Sequence, residues 1–253
     1  MRMTDRLLPA GMLCALLALW EGLVRWHGVP PYVLPGPVAI WGALVADWGL
    51  LWPSLLATLR LTFMALALSV LGAGAMALLL AQSRVLERAV LPLAVVLQVT
   101  PVVAIAPLLL IWFDSVLPAL LTCAVIVAFF PVLSGTLQGL SSADPQLEEL
   151  FRLHGARRWQ ALLWLRIPSA LPYFLGALRV AGGLALIGAV VAEFVAGAGG
   201  AGSGLAFRIL EAGYQLRIPR MFAALALISL AGIAIFTALG LVQRLMLRRW
   251  AGR

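Results

Sequence analysis

The chain has 253 residues, 63% of them apolar and only 11% charged, with a mean hydropathy of +1.05. A soluble domain needs roughly a quarter of its residues charged to cover its surface, so a water-soluble fold is excluded and lipid must face much of this chain. The formal charge of +8 is carried by arginine, with no lysine in the sequence, which excludes a GxxxxGK[ST] phosphate loop and any lysine Schiff base. No aromatic-basic cluster or recognition module of a nucleic-acid binder accompanies the charge.

Six stretches reach the ~20 apolar residues that cross a hydrocarbon core as a helix: residues 7–24, 55–81, 89–113, 116–137, 171–192 and 221–242. The expected fold is therefore all-α and polytopic, with about six transmembrane helices. The first stretch follows a basic start but lacks a small-x-small cleavage site, continuing Glu21-Gly-Leu-Val-Arg25, and reads as a retained span. Cys14 and Cys123 both fall in apolar runs and behave as small hydrophobes. Between Pro30 and Pro53 the prolines and a short stretch, residues 38–51, with Trp41 and Trp48 predict a helix lying on the outer membrane face. Residues 1–54 then form one region, the first span with its interfacial helix, and residues 55–253 the transmembrane domain.

The third span places Gln98, Thr100 and Pro101 at mid-depth, with Pro107 further on. Each proline removes a helical hydrogen bond, so the helix is expected to kink or break. An amide at that depth is either an ordinary interhelical bond or part of a pathway for solute.

Residues 141–168 form a loop with its own grammar. Asp144 is an N-cap and Pro145 a first helical residue; Glu148 and Glu149 suit the start of that helix, and Arg152 and His154 its end. Leu147, Leu150 and Phe151 make an apolar stripe at i, i+3, i+4, and Gly155 stops the helix. A second helix is expected over residues 157–166, ending before Pro168. The loop predicts a helix–Gly–helix elbow whose apolar face requires a partner.

The fifth span is thin, with Ala177, Ala181, Ala185 and Ala189 beside Gly182, Gly183 and Gly188. Close helix packing is one reading, a solute cavity the other. Glu193 closes this span on the outer side, as Glu21 closes the first. Gly197-Ala-Gly199-Gly200-Ala-Gly202 satisfies GxGxxG but follows an apolar span rather than a strand of a βαβ unit, and reads as an outer loop. His27 and His154 are isolated and no metal-ligand spacing occurs, so no metal and no cofactor is expected on this chain. With the N-terminus inside, twelve of the eighteen arginines fall on the cytoplasmic side and four (Arg25, Arg208, Arg217, Arg220) outside, while Arg60 and Arg179 lie within spans. That is a positive-inside pattern with both termini cytoplasmic.

Glu149-Leu150-Phe151, three residues, Gly155, nine residues, then Leu165-Arg166-Ile167-Pro168 resembles the EAA loop of ABC importer permeases of type I. Leu150 and Phe151 stand where that pattern has two alanines. Trp20-Glu21, Arg25, Val33-Leu34-Pro35-Gly36-Pro37, Ala106-Pro107-Leu108, Phe129-Phe130-Pro131 and Val190-Val191-Ala192-Glu193-Phe194 are similar to permeases of the nitrate, sulfonate and taurine group, which includes importers of pyrimidine and riboflavin type. The resemblance implies a bacterial inner-membrane permease working as a homodimer, with two ATP-binding subunits that hold ATP and Mg, and a periplasmic or lipid-anchored solute-binding protein. It implies that Asp144, Glu148, Glu149, Leu150, Phe151, Arg152, Gly155 and Ala156 meet the ATPase and that no bond-making chemistry resides here. The polar and kinking residues of the third span and the small residues and closing carboxylate of the fifth make Gln98, Thr100, Pro101, Gly182, Gly183 and Glu193 the candidates for the pathway. The competing reading is an ion-coupled secondary transporter, which the absence of a carboxylate deep in any span disfavours.

Overall fold

A computed structural model describes residues 3–197 and 203–251; among them every regular element is a helix. Of the Gly197–202 run, Gly199, Gly200 and Gly202 lie outside the described residues, as do Arg2 and Arg253. The helices are α1 (Met3–Trp26), α2 (Pro37–Ala46), α3 (Trp48–Leu80), α4 (Arg84–Val99), α5 (Val102–Trp112), α6 (Val116–Leu140), α7 (Pro145–Leu153), α8 (Arg158–Ala161), α9 (Ile167–Ala196), α10 (Leu205–Tyr214) and α11 (Ile218–Ala251). Among the described residues four stretches are long and apolar enough to cross a membrane, and five if the bent pair α4–α5 is one span. The expected first span lies within α1.

The chain divides into two compact units. One holds the described residues up to Ala57 together with residues 203–229. Here the Glu21 carboxylate accepts from Arg25 at 2.6 Å and from the Val38 backbone N–H at 3.1 Å, serving α2 as a cap contributed from α1. A Cβ on Gly36 would come within 2.5 Å of that carboxylate, so a larger residue before Pro37 would push the Glu21 side chain aside. Trp48 and Trp52 stack at 5.3 Å, and Trp20 meets Phe222 at 6.3 Å.

The single interfacial helix expected over residues 38–51 is in fact two. Asp47 ends α2 and starts α3: its backbone carbonyl accepts from Leu50 and Leu51. Its carboxylate takes a bidentate pair from Arg220, at 2.6 and 2.5 Å. The second span accordingly begins at Trp48 rather than at residue 55.

The other unit runs from Thr58 to the end of α9 and resumes at Leu230. Its core is an α6–α9 pair packed through small residues. A Cβ on Gly139 would sit 2.8 Å from the Ala170 backbone, one on Gly188 2.9 Å from Ala124, and one on Gly135 would overlap Ala177. Ala181, Ala185 and Ala189 are fully buried. At these positions the small residues of the fifth span serve close helix packing. Leu66, Ala73, Ala77 and Leu80 of α3 close the same core with Val132, Leu133 and Leu137 of α6.

Of the two outcomes expected for the third span, a kink or a break, the structure has the break: α4 and α5 meet at 96° across Thr100 and Pro101. Pro107 sits inside α5 without a second break. The second elbow helix does not end before Pro168, since helix continues from Arg158 to Ala196. Residues Leu162–Arg166 form a π turn in which the Ile167 N–H bonds Leu162. The wider turn makes room for a proline ring that would otherwise press on the carbonyl four residues back.

Candidate coupling elbow and translocation site

The elbow is capped at both ends. The Asp144 side chain accepts from the Gln146 N–H at 2.8 Å, and Pro145 supplies the preset first turn. At the far end Gly155 has φ +70, the Gly155 N–H bonds Arg152, and the Ala156 N–H reaches back to Phe151 at 3.0 Å. This is a Schellman closure, and it explains the glycine of the motif. None of α7 is buried, and Leu147, Leu150 and Leu153 are 43%, 48% and 78% exposed. Trp159, Leu163 and Trp164 are exposed on the following turns. An apolar surface of this size on one short element marks an interaction face.

Among the described residues an ion pair, Arg166 to Glu148 at 2.7 Å, ties α7 to the following helix, with Arg166 also donating to the Ala81 carbonyl at 3.4 Å. Glu149 makes only an exposed pair with Arg152 at 3.4 Å, which leaves it open to a partner. Behind α7 lies an open cleft of about 680 Å³, bounded by Pro145, Glu148, Phe151, Arg158 and Arg166. Arg166 occupies a variable position of the motif, so nothing in the sequence pattern drew notice to it.

A second concavity, of about 300 Å³, lies at the α4–α5 break. Gln98, Thr100 and Pro101 line it together with Ile126 and Val127 of α6 and Leu184, Ile187 and Gly188 of α9. The Thr100 hydroxyl donates to its own helix, to the Val96 carbonyl at 2.6 Å, whereas Gln98 is exposed. Because Pro101 has no N–H and the chain turns, the last carbonyls of α4 lose their helical partners, which is the polar backbone a broken span presents.

Three of the pathway candidates lie elsewhere. Gly182 faces Leu239 and Ile235 of α11, and a Cβ there would overlap Leu239; Gly183 faces open space. Glu193, expected at the membrane interface, is only 5% exposed. Its two carboxylate oxygens accept from the Thr58 hydroxyl at 2.9 and 3.0 Å. Among the described residues no cluster of His, Cys, Asp or Glu could hold a metal.

Residues 69–252 match the family described as binding-protein-dependent transport system inner membrane component. The riboflavin transport system permease protein RibX of Chloroflexus aurantiacus is 36% identical over 240 residues, covering 93% of this chain and 87% of the relative. The formylaminopyrimidine transport permease protein ThiX of Halalkalibacterium halodurans is also 36% identical over 240 residues, covering 94% of each. The putative aliphatic sulfonates transport permease protein SsuC of Bacillus subtilis is 30% identical over 252 residues, covering 97% of this chain and 87% of the relative. A crystal structure of an amino acid ABC transporter with histidines superposes with a TM-score of 0.65 at 21% identity, over 79% of this chain and 96% of that one; at that identity it speaks to the fold.

Proposed function

Because the chain belongs to the family of binding-protein-dependent transport system inner membrane components, we propose that it provides half of an ATP-driven import pathway through a bacterial inner membrane. Two copies would enclose the pathway, two ATPase subunits would dock on the elbows, and a solute-binding protein would deliver cargo from outside. The observation that carries this reading is α7, capped by Asp144 and Gly155 and exposing Leu147, Leu150 and Leu153 to solvent. A capped amphipathic helix with an exposed apolar face and an ion pair to the next helix is what a moving partner can push or pull. With no lysine to build a phosphate loop, ATP and Mg belong to that partner.

The solute is proposed to be a small neutral heterocycle of the vitamin-precursor kind rather than a sulfonate. The relatives named for riboflavin and formylaminopyrimidine are more alike to this chain than the sulfonate-named one. The concavity at the α4–α5 break offers an amide and backbone carbonyls but no cation, which suits a hydrogen-bonding ring better than an oxyanion.

The test is on the elbow. Gly155→Val forces a β-branched residue into the left-handed region, at a cost of about 1–3 kcal/mol; Glu149→Lys reverses charge on the exposed face. Both variants should reach the membrane in normal amounts and lose co-purification with a co-expressed cognate ATPase subunit, together with uptake. Normal uptake by both would show that the elbow does not couple.

A further inference from the structure

We propose that the groove between α9 and α11, at the elbow end of the bundle, holds one anionic phospholipid whose phosphate bridges Arg179 and Arg244. The inference needs only that both helices cross the membrane, and it stands apart from the identity of the solute.

Arg179 lies in the part of α9 that is apolar and long enough to span. Its guanidinium sits 3.7 Å over the Phe236 ring, and its Nε is buried without a hydrogen-bond partner. No ion pair among the described residues includes it. The α11 sequence holds no acidic residue. Glu193, the acid of α9, is fourteen residues further on, about 21 Å along the axis, and is bonded to Thr58. A guanidinium inside a span is costly unless something compensates it, and a ring face offsets only part of that cost.

Glycines keep the space around it open. Gly240 lies against the guanidinium, where a Cβ would come within 3.1 Å of Cζ and Nε. A Cβ on Gly183 would meet nothing within 4 Å, and one on Gly176 only the Gln243 amide at 3.8 Å. Gly176 and Gly183 stand about 60° and 40° round α9 from Arg179, so both flank it on the same side. Gly176 faces Gln243, Gly182 faces Leu239 and Gly232 faces Leu186, so the two helices run antiparallel and α11 ends beside the elbow. Arg244 is exposed and four residues past Gly240 toward that end, about 6 Å along the axis.

Two cations at that spacing, with no acid between them, suit one phosphate. The other direction along the groove is apolar: Val180, Ile233 and Phe236 are 53%, 60% and 45% exposed. An anion at one end and an apolar wall leading from it select an amphiphile, and in a bilayer that is an acidic phospholipid. The solute is a poor occupant. Leu184 and Gly188, which line the concavity at the α4–α5 break, stand about 140° and 180° round α9 from Arg179.

The test uses the full permease chain in detergent micelles. Native mass spectrometry counts bound lipid as phosphatidylglycerol, or phosphatidylcholine of the same acyl chains, is titrated in. Wild type should retain one phosphatidylglycerol per chain and bind it about tenfold more tightly than phosphatidylcholine; equal affinity overturns the proposal. Arg179→Gln should weaken phosphatidylglycerol about tenfold, the loss of one charge-assisted contact, and Arg179→Lys should recover part of it. Arg248→Gln removes the same unit of charge from the last turns of α11 and should leave the affinity unchanged. Gly183→Leu keeps the charge and fills the groove, so it should lose the lipid as Arg179→Gln does. If the arginine variant does not fold, the glycine variant decides, and full binding by it overturns the proposal. Equal weakening by Arg179→Gln and Arg248→Gln would mean general attraction to a basic chain. Displacement of the lipid by inorganic phosphate at equal concentration would mean a site for a free anion. A changed oligomeric state of the lipid-free protein on Arg179→Gln would mean that a second copy answers the arginine. Each of these three outcomes overturns the lipid site.

Discussion

Glu193 and Thr58 are the pair on which a single residue weighs most. A carboxyl 5% exposed in the last turn of α9 is costly unless its oxygens are bonded, and the Thr58 hydroxyl reaches both of them. Thr58→Val keeps the shape and removes one hydrogen bond to that carboxylate, so it should destabilise by about 1 kcal/mol. In thermal unfolding of the purified chain that is a drop of about 2–4 °C for each kcal/mol. Adding Glu193→Gln should cost less in the Thr58→Val background than in the wild type, since the two groups act on each other; strictly additive shifts would show that the bond contributes nothing. The sequence reading marks Glu193 as closing the fifth span and passes over Thr58. Ser54, Thr58 and Thr62 recur every four residues in an otherwise apolar segment, which places them on one helix face, and all three are buried. Their partner was not legible, because it lies 135 residues away and position at a span end gives no depth of burial.

At the scale of elements, what was readable was local chemistry. Asp144-Pro145 and Gly155 delimit α7 because capping is decided within one turn, and Thr100-Pro101 marks the break because a proline removes a bond wherever it stands. Two boundaries escaped for the same physical reason, that a distant contact or an unusual turn overrides the local signal. Arg220, 173 residues away, fixes the split at Asp47, and the π turn at Leu162–Arg166 lets helix run through Pro168. Of the pathway set, Gln98, Thr100 and Pro101 come together because one short break holds them. Gly182 and Glu193 do not join them, since composition cannot say which side of α9 faces which neighbour. Gln98 is the one side-chain amide beside the α4–α5 concavity. Gln98→Leu should leave ATPase association intact and lower solute uptake by about tenfold, the value of one hydrogen bond of roughly 1.4 kcal/mol. Uptake at the wild-type rate would move the pathway away from the break.

For the molecule as a whole, the 96° turn between α4 and α5 raises a question that the arginines answer. A pair of helices so bent either crosses the membrane as a broken span or enters and leaves on one side. Arg84 and Arg88 precede α5 at the start of α4, and Arg152, Arg157, Arg158 and Arg166 follow α6. The positive-inside rule predicts both groups on the cytoplasmic side. With α6 as a single crossing, that orientation would place Ser115 outside and would require α4 and α5 together to cross. Thiol labelling checks this in intact cells, after Cys14, which is exposed, and Cys123 are replaced by serine. Cysteines at Gln82 and Ala156 should be protected from an impermeant maleimide, and those at Ser115 and Gly42 should react. Gly42, with nothing within 4 Å of its Cβ position, is a better outer probe than Asp47, whose removal would break the pair with Arg220. Gln82 is a better inner probe than Ser83, whose hydroxyl caps α4. Equal labelling at Gln82 and Ser115 would mean a re-entrant hairpin, and one of the two arginine groups would then stand on the outside. Labelling of Ala156 alone among the inner sites would invert the elbow and remove it from any ATPase. Protection of Gln82 and Ala156 with reaction at Ser115 is the outcome a broken span requires.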